Sequence, residues 1–284
     1  MQPVHASLIT SDFAAALPAI LANARALAVE AGEIALSYFR SEAQTIAAIH
    51  YKDGGSPVTD ADFAVDRFLK EKLRAMTPDF GWLSEETEDD AVRLQHRYVW
   101  VVDPIDGTRA FIKGDSDWTI AIGLVDQGAP IAGIVHAPVT RETFDAGRGL
   151  GARLNGDVIR VTQTAEIARA RIGGPRRMID LLHESHGPFE RAPRIHSLAY
   201  RMARVADGGM DGGIANAGAH DWDIAAAHAV LIEAGGELLS VTGRPPVYNQ
   251  PSTMHGMIAA GALPLAQKLV IALGARPVGV SGSD

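Results

Sequence analysis

The sequence contains no cysteine among its 284 residues, and this absence excludes several kinds of site. Without thiols the chain can form no disulfide framework, thiolate zinc site, iron–sulfur cluster or cysteine nucleophile. Other common signatures are missing too: there is no P-loop Gly-Lys-Ser/Thr, no His-Glu-x-x-His and no Gly-x-Ser-x-Gly. Any chemistry must therefore come from oxygen and nitrogen groups in another arrangement.

Basic residues are fewer than acidic ones, since the chain has 26 Lys and Arg, 34 Asp and Glu and a formal net charge of −8. Binding to nucleic-acid polymers or to anionic membranes needs a basic face, so neither is expected. A small phosphorylated substrate stays open, because carboxylates can hold Mg²⁺ and the metal can meet the phosphate. We recognise no apolar run of membrane-spanning length and no signal peptide in residues 1–10, and we expect a cytoplasmic protein.

Apolar spacing predicts helices packed on an antiparallel sheet in the first half of the chain. Helical spacing over residues 20–39 predicts a long amphipathic helix. Thr59 is predicted to start a second helix, whose apolar side carries Phe63, Phe68, Leu69 and Leu73. Strands are predicted at 98–102, 118–125 and 131–135, the last two forming a hairpin around residues 126–128.

Beyond about Thr162 the pattern alternates between strands and helices. Helices are predicted at 176–185, 197–206, 221–234 and 263–273, with short strands between them. That order is typical of an α/β arrangement. We therefore expect an α/β protein with an α+β part at residues 1–162 and an α/β part at residues 163–284.

The sharpest chemical feature is residues 100–108, Trp-Val-Val-Asp-Pro-Ile-Asp-Gly-Thr. A buried strand delivers Asp103 at its end, and the proline and glycine force a tight turn on which Asp103 and Asp106 can converge. The carbonyl of Ile105 can turn inward, and hard oxygen ligands at one point suit Mg²⁺ or Mn²⁺. A turn whose Asp side chains only cap their own backbone is the competing interpretation. The amides that could cradle a phosphate oxygen belong to Gly107 and Thr108.

Residues 84–90 form an acidic run with five carboxylates. A solvated acidic loop is the better interpretation for Glu88, Asp89 and Asp90. Glu85 differs, because it directly follows the apolar pair at 82–83, where a strand end would place it near Asp103.

Further candidate site residues lie at the N-termini of two predicted helices. Asp223 lies in the first turn of the helix at 221–234, where the helix dipole favours it, and the same position suits a carboxylate that points at a cation. His220 is interpreted as a hydrogen-bonding residue rather than a metal ligand. Thr59 and Asp62 fit a capping box, and Asp62 could instead orient a catalytic hydroxyl.

Taken together, these features resemble the inositol monophosphatase superfamily of Mg²⁺-dependent, typically lithium-sensitive phosphatases. The resemblance runs from about Ala22 to Leu273. It rests on residues 103–108 and on Trp-Asp-x-Ala-Ala at 222–226, with the Glu85–Glu86 pair upstream. Ser84 stands where the family usually has glycine. The resemblance implies a layered αβαβα sandwich assembled as a homodimer, with the active site between its two parts.

The resemblance also implies a role for each candidate. Two or three Mg²⁺ ions are expected, and Mn²⁺ can substitute. One ion would be held by Glu85, Asp103 and the carbonyl of Ile105, and a second by Asp103, Asp106 and Asp223. The catalytic set is Thr108, which would position the attacking water, with Asp62 and Glu85. Amides of Gly107 and Thr108 would bind the phosphate, and no covalent phosphoenzyme is implied.

The expected substrate is a small phosphorylated metabolite. In animal inositol monophosphatases a glutamate contacts inositol at the position of Asn216, which is a weaker, neutral partner. Asn216 and His220 are the candidate substrate contacts. Residues 107–113, 117–125 and 225–231 look closer to bacterial 3′(2′),5′-bisphosphate nucleotidases. The positive charge needed to bind a second phosphate could come from Lys113, Arg176, Arg177, Arg194 and Arg201.

Hydrolysis of 3′-phosphoadenosine 5′-phosphate to AMP by a metal-activated water is the favoured function. Inositol 1-phosphate, histidinol phosphate and sugar bisphosphates stay open as substrates. A different class is also open, namely a non-catalytic regulatory or metal- or polyanion-binding protein that keeps the fold. The complete set of candidate ligands argues against that class, and Mg²⁺-dependent phosphate release separates the two.

Overall fold

The structure, a computed structural model, describes residues 4–274. Its first part holds two long helices, a short antiparallel hairpin and a seven-stranded sheet. In chain order the elements are α1 (Val4–Tyr38), β1 (Ile49–Tyr51), β2 (Pro57–Thr59), α2 (Asp60–Met76), β3 (Gly81–Ser84), β4 (Tyr98–Asp106), α3 (Thr108–Lys113), β5 (Thr119–Asp126), β6 (Ala129–Ala137), β7 (Glu142–Gly147), β8 (Gly151–Leu154) and β9 (Asp157–Val158). The strands lie in the order β3-β4-β5-β6-β7-β8-β9, and all neighbours are antiparallel except β3 and β4.

The second part forms a five-stranded mixed sheet with four helices. Its elements are β10 (Arg171–Gly173), α4 (Arg176–His186), β11 (Glu190–Arg191), α5 (Leu198–Ala206), β12 (Gly212–Ala215), α6 (Asp221–Glu233), β13 (Glu237–Ser240), β14 (Ile258–Gly261) and α7 (Leu263–Gly274). The strand order is β11-β10-β12-β14-β13, parallel over the first three strands and antiparallel beyond them.

Three apolar clusters stack these elements into five layers. The first cluster joins α1 and α2 to one face of the large sheet, with Ala24 and Leu69 fully buried. The second places α5 and α6 between the two sheets, around Ala203 and Ala226. The third packs α4 and α7 on the outer face of the small sheet, around Leu182 and Leu269. The result is the layered αβαβα sandwich that the resemblance implies, and the predicted fold class is confirmed.

Helix α6 lies directly on bare backbone of the large sheet. A Cβ atom at Gly133 would be 2.0 Å from the carbonyl oxygen of Ala226, and one at Gly123 would be 3.0 Å from the amide nitrogen of Ala226. Side chains at these two positions on β5 and β6 would therefore force the helix away. The glycines allow the close approach of the helix that carries Asp223.

The predicted elements are largely confirmed, with three corrections. Helix α1 begins at Val4 rather than near residue 20. Strand β3 pairs parallel with β4, so the large sheet is not wholly antiparallel. Phe63 was expected on the apolar side of α2, yet it is 38% exposed, while Leu69 and Leu73 are buried. Phe63 is instead placed beside the exposed ring of His50.

One described helix contradicts the expectation about apolar runs. The stretch Phe13–Tyr38 is long and apolar enough to cross a membrane by length and composition alone. Here it packs on α2 and on the large sheet, and core helices of globular domains meet the same two criteria.

The division of the chain at residues 162 and 163 stays a prediction. The two sheets do come from either side of this point, at residues 81–158 and 171–261. However, α5 and α6 from the second part cover the inner face of the first sheet.

Candidate active site

Three carboxylates converge where strand β4 ends. The register with β5 shifts between Asp103 and Asp106, so the bulged strand turns both side chains toward the same point. Gly107 then takes a left-handed conformation with φ 95°, which ends the strand and begins α3. Asp223, in the first turn of α6, completes a group whose carboxylate oxygens all lie within 4.8 Å of one another.

The three carboxylates repel one another, with Asp103 and Asp106 buried and Asp223 half-buried. Burial raises the pKa of Asp103 well above its usual range, and Glu85 and Asp106 raise it further. Burial and then Asp106 do the same to the pKa of Asp223. Burial also raises the pKa of Asp106 to about 6, although hydrogen bonds from Ser197 and the Ala199 amide oppose the rise.

The donor set of this trio fits a divalent cation. In the part of the chain that the structure describes, Asp103, Asp106 and Asp223 form no salt bridge with any Lys, Arg or His. Buried, unneutralised carboxylates at one point are the ligands that Mg²⁺ or Mn²⁺ prefers. The predicted convergence of these residues is thus present in the structure.

Glu85 lies beside the trio but makes its own contacts. It follows β3, whose Ser84 pairs with Val102 of the parallel neighbour, so both strands end at one edge. Its amide donates to the Val102 carbonyl at 3.2 Å, and Glu85 lines the same cavity as Asp103. Lys52 Nζ lies 2.9 Å from Glu85 Oε1 and 2.7 Å from Glu86 Oε1. Glu85 therefore shares the site, while its charge is offset by a lysine that the sequence did not suggest.

The loop that carries Glu85 is held from behind by Asp66 on α2. The Ser84 hydroxyl donates to Asp66 Oδ1 at 2.5 Å, and the Thr87 hydroxyl donates to Oδ2 at 2.7 Å. Asp66 is only 8% exposed, and its two hydrogen bonds bracket Glu85 and Glu86. Ser84, the departure from the family's usual glycine, thus has a definite partner.

Asp62 joins the start of α2 to the catalytic turn. Its Oδ2 atom accepts from the Thr59 amide at 2.8 Å and from the Thr59 hydroxyl at 2.6 Å, and the capping box is present. Its Oδ1 atom lies 3.3 Å from the Thr108 hydroxyl, which is also 3.1 Å from the Ile105 carbonyl. The structural and the functional interpretations of Asp62 are therefore compatible, because each uses a different oxygen. Burial, opposed by Thr59, raises the pKa of Asp62 to about 6.

A cavity of about 480 Å³ opens over these carboxylates. Five basic residues also line it, and we call this group the basic wall: Arg109, Arg176, Arg194, His196 and Arg201. Arg201 is committed to the backbone, since it donates to the carbonyls of Ile195 and Ile214. Lys113 and Arg177, also considered for a second phosphate, do not line this cavity.

Two residues of this region were missed by the sequence analysis. His196 lies on the basic wall, and its ring Nδ1 is 2.8 Å from Asp117 Oδ2. The next residue, Ser197, donates from its hydroxyl to Asp106 Oδ2 at 2.6 Å. The only signal in the sequence is that Ser197 caps a predicted helix, and nothing there links residue 196 to residue 117.

The two candidate substrate contacts do not line this cavity, although the His220 amide donates to Asp223 Oδ2 at 2.6 Å. Asn216 is exposed and lines a separate small cavity with Met178 and Met257. The His220 ring stacks on Trp222 with centroids 4.6 Å apart, and its Nδ1 lies 2.8 Å from the Thr253 hydroxyl. Neither lines the cavity over the carboxylates.

A larger cavity of about 610 Å³ lies beside the end of α6, near His228 and Ile232. Its lining is mainly apolar and includes none of the candidate metal ligands. The chemistry therefore belongs to the smaller cavity.

Comparison with known proteins gives one consistent answer about the family. The model of the inositol monophosphatase family matches residues 17–273. A 3′(2′),5′-bisphosphate nucleotidase CysQ from Aggregatibacter actinomycetemcomitans is 30% identical over 238 residues, covering 79% of this chain and 85% of the relative. A histidinol-phosphatase from Chlorobaculum parvum is 28% identical over 254 residues, or 87% and 94% of the two chains. An IMPase structure from Thermotoga maritima superimposes with a TM-score of 0.74 at 25% identity, covering 88% of this chain and 95% of its own.

The chain belongs to the inositol monophosphatase family. It is a metal-dependent phosphatase that acts on small phosphorylated substrates, and the buried acidic trio is where a metal fits.

Proposed function

We propose that the protein removes one phosphate from a small bisphosphate, with a 3′(2′),5′-bisphosphate nucleotide as the preferred substrate. The observation that carries this proposal is that one cavity of about 480 Å³ is lined both by the acidic candidate metal ligands and by the basic wall. Arg176 is exposed and already pairs with Asp180 at 3.8 Å. Among the described residues Arg109 and Arg194 form no salt bridge, so a single phosphate on the metals would leave them without a partner. A second phosphate gives these guanidinium groups charge-assisted hydrogen bonds.

The proposed roles follow the positions of the residues. Glu85, Asp103 and the Ile105 carbonyl would hold one Mg²⁺, and Asp103, Asp106 and Asp223 a second, with Mn²⁺ able to substitute. Bound Mg²⁺ supplies positive charge that lowers the pKa of a water and offsets charge on the phosphate. Thr108 would orient that water, since donating its proton to Asp62 or to the Ile105 carbonyl leaves its lone pairs to accept from the water. Backbone amides of Gly107 and Thr108 would steady the phosphate.

A substrate panel tests the proposal. Phosphate release with saturating Mg²⁺ is compared for adenosine 3′,5′-bisphosphate, inositol 1-phosphate, histidinol phosphate and fructose 1,6-bisphosphate. We expect the highest kcat/KM for the nucleotide. In the variant Arg194→Ala, KM for the nucleotide should rise about tenfold, and KM for inositol 1-phosphate should stay unchanged. A clear wild-type preference for inositol 1-phosphate would overturn the proposal.

Inositol 1-phosphate is the second candidate, favoured by the likeness to the Thermotoga maritima IMPase. Against it, Asn216 lies outside the cavity, and the acidic residues that line the cavity are Glu85 and the three carboxylates already assigned to the metals. Histidinol phosphate and sugar bisphosphates rank behind. Inhibition by lithium, a homodimer, a cytoplasmic location and the lack of nucleic-acid or membrane binding stay predictions. Inhibition assays and light scattering test the first two.

A further inference from the structure

We propose that His196 is a specificity-determining residue whose Nε2 atom accepts a hydrogen bond from a substrate hydroxyl next to the scissile phosphate ester. The inference rests on the proposed placement of the metals at Asp103, Asp106 and Asp223. It names the side chain that recognises the leaving alcohol rather than the phosphate.

The position of His196 is set by its neighbours. The Ser197 hydroxyl and the Ala199 amide both donate to Asp106 Oδ2 at 2.6 Å, so this segment wraps around one metal-ligating carboxylate. His196 is the residue before Ser197, and it lines the cavity together with Asp106. In-line displacement puts the leaving alcohol opposite the water that Thr108 would orient, and we place it beside Asp106 and Asp223. The alcohol would then lie in the part of the cavity that His196 lines with Asp106.

The orientation of the ring is set by Asp117. Its Oδ2 atom accepts from the His196 amide at 2.5 Å and lies 2.8 Å from ring Nδ1. The Asp117 carbonyl also accepts from the Ser197 amide at 3.2 Å, which holds the two segments together. An ionised carboxylate only accepts, so the neutral tautomer that pairs with Asp117 carries its hydrogen on Nδ1 and a lone pair on Nε2. Within residues 4–274, no hydrogen bond of the structure uses Nε2.

The lone pair on His196 Nε2 differs from the other polar groups of the basic wall, because it accepts a hydrogen bond. Its other four side chains are Arg109, Arg176, Arg194 and Arg201, and a guanidinium group only donates hydrogen bonds. A substrate hydroxyl needs an acceptor for its proton. On the basic wall His196 is the side chain that offers one, and 28% of its surface is open to the cavity and solvent.

Two pairs of substrates that differ only in hydroxyls next to the phosphate ester test the proposal. The first pair is glycerol 2-phosphate, which has two equivalent hydroxyls there, and isopropyl phosphate, which has none. The second pair is adenosine 3′,5′-bisphosphate and its 2′-deoxy analogue, which differ in one. For each pair, the ratio of kcat/KM with and without the hydroxyl is compared between the wild type and variants. Differences in the intrinsic reactivity of the esters then cancel.

We expect His196→Ala to lower this ratio about five- to tenfold, the effect of one lost hydrogen bond. His196→Gln, whose amide oxygen can accept, should restore most of the ratio, and Asp117→Asn should lower it partly by releasing the ring. His186→Ala, at the exposed end of α4, is the matched control and should leave the ratio unchanged.

Two results would overturn the proposal. One is an unchanged ratio in His196→Ala for every pair that is hydrolysed. The other is an equal loss for both members of a pair, which would show a merely structural role. If only the glycerol pair is hydrolysed and its ratio falls as expected, the inference holds while the nucleotide proposal fails.

Discussion

Asp103 is the residue on which the charge balance of the site depends most. It is 1% exposed and lies within reach of both Asp106 and Asp223. We expect Asp103→Asn to lower kcat at least about a thousandfold, because the metal contributes several kcal/mol and each 1.36 kcal/mol is about tenfold in rate. The melting temperature of the metal-free variant should equal or exceed that of the wild type, because a repelling buried charge is gone.

Steady-state phosphate release and thermal melting measure these two effects. Glu88→Gln is the control, since Glu88 belongs to the same acidic part of the chain and is exposed. Wild-type turnover in a purified, folded Asp103→Asn protein would contradict the assignment of this residue as a metal ligand.

Single residues were predictable from sequence where their chemistry is local. Asp103 and Asp106 lie three positions apart on one bulged strand end, so a short motif places both. His196 and Asp117 are separated by 79 positions and meet only because the segment before α5 lies against the segment before β5. Lys52 reaches Glu85 over 33 positions in the same way. No spacing rule covers contacts of this range.

At the scale of elements, α2 supports the loop that carries Glu85. Asp66 accepts hydrogen bonds from Ser84 and Thr87, which flank that residue. We expect Asp66→Ala to weaken the binding of Mg²⁺ about tenfold or more while kcat at saturating Mg²⁺ stays near the wild-type value, as supporting hydrogen bonds orient ligands rather than react. Asp66→Asn keeps one hydrogen-bond acceptor, so its affinity for Mg²⁺ should lie between those of the wild type and Asp66→Ala.

The Mg²⁺ concentration for half-maximal activity and direct Mn²⁺ binding by electron paramagnetic resonance both measure this effect. The exposed Asp60 of the same helix provides the control Asp60→Ala. Normal metal binding in a folded Asp66→Ala protein would show that the loop keeps its position without this support.

Most elements followed from periodicity, and the exceptions have physical reasons. A proline inside a helix usually marks its boundary, and Pro18 lies within α1, so the sequence pattern did not extend the helix toward Val4. The parallel pairing of β3 with β4 depends on the path of the residues between them, which include a short 3₁₀ turn at Ala91–Gln95. Alternation along a strand reports its buried face, not the direction of its neighbour.

For the molecule as a whole, the acidic centre makes stability depend on both pH and metal. The pKa values of Asp62 and Asp106 are raised from 3.8 to about 6, so the folded protein binds these protons more tightly than the unfolded chain does. Their contribution to the free energy of unfolding is full below 3.8 and is lost as pH rises through about 6. Mg²⁺ replaces the protons at higher pH.

We therefore expect the metal-free protein to melt at a lower temperature at about pH 8 than at about pH 5, and Mg²⁺ to raise the melting temperature more at the higher pH. Differential scanning calorimetry with and without Mg²⁺ measures both. Asp106→Asn should flatten the pH dependence of the metal-free protein. An equal Mg²⁺ effect at both pH values would contradict the expectation.

The contact of α6 with Gly123 and Gly133 has a consequence for the width of the metal site. Asp223 is on this helix, three residues before the Ala226 backbone that touches both glycines, whereas Asp103 and Asp106 are on the sheet. Because the two glycines have no side chain, the helix that carries Asp223 lies in direct contact with the sheet that carries Asp103 and Asp106. The distance of Asp223 from Asp103 and Asp106 thus depends on the glycines at positions 123 and 133, where even an alanine would push the helix away from the sheet.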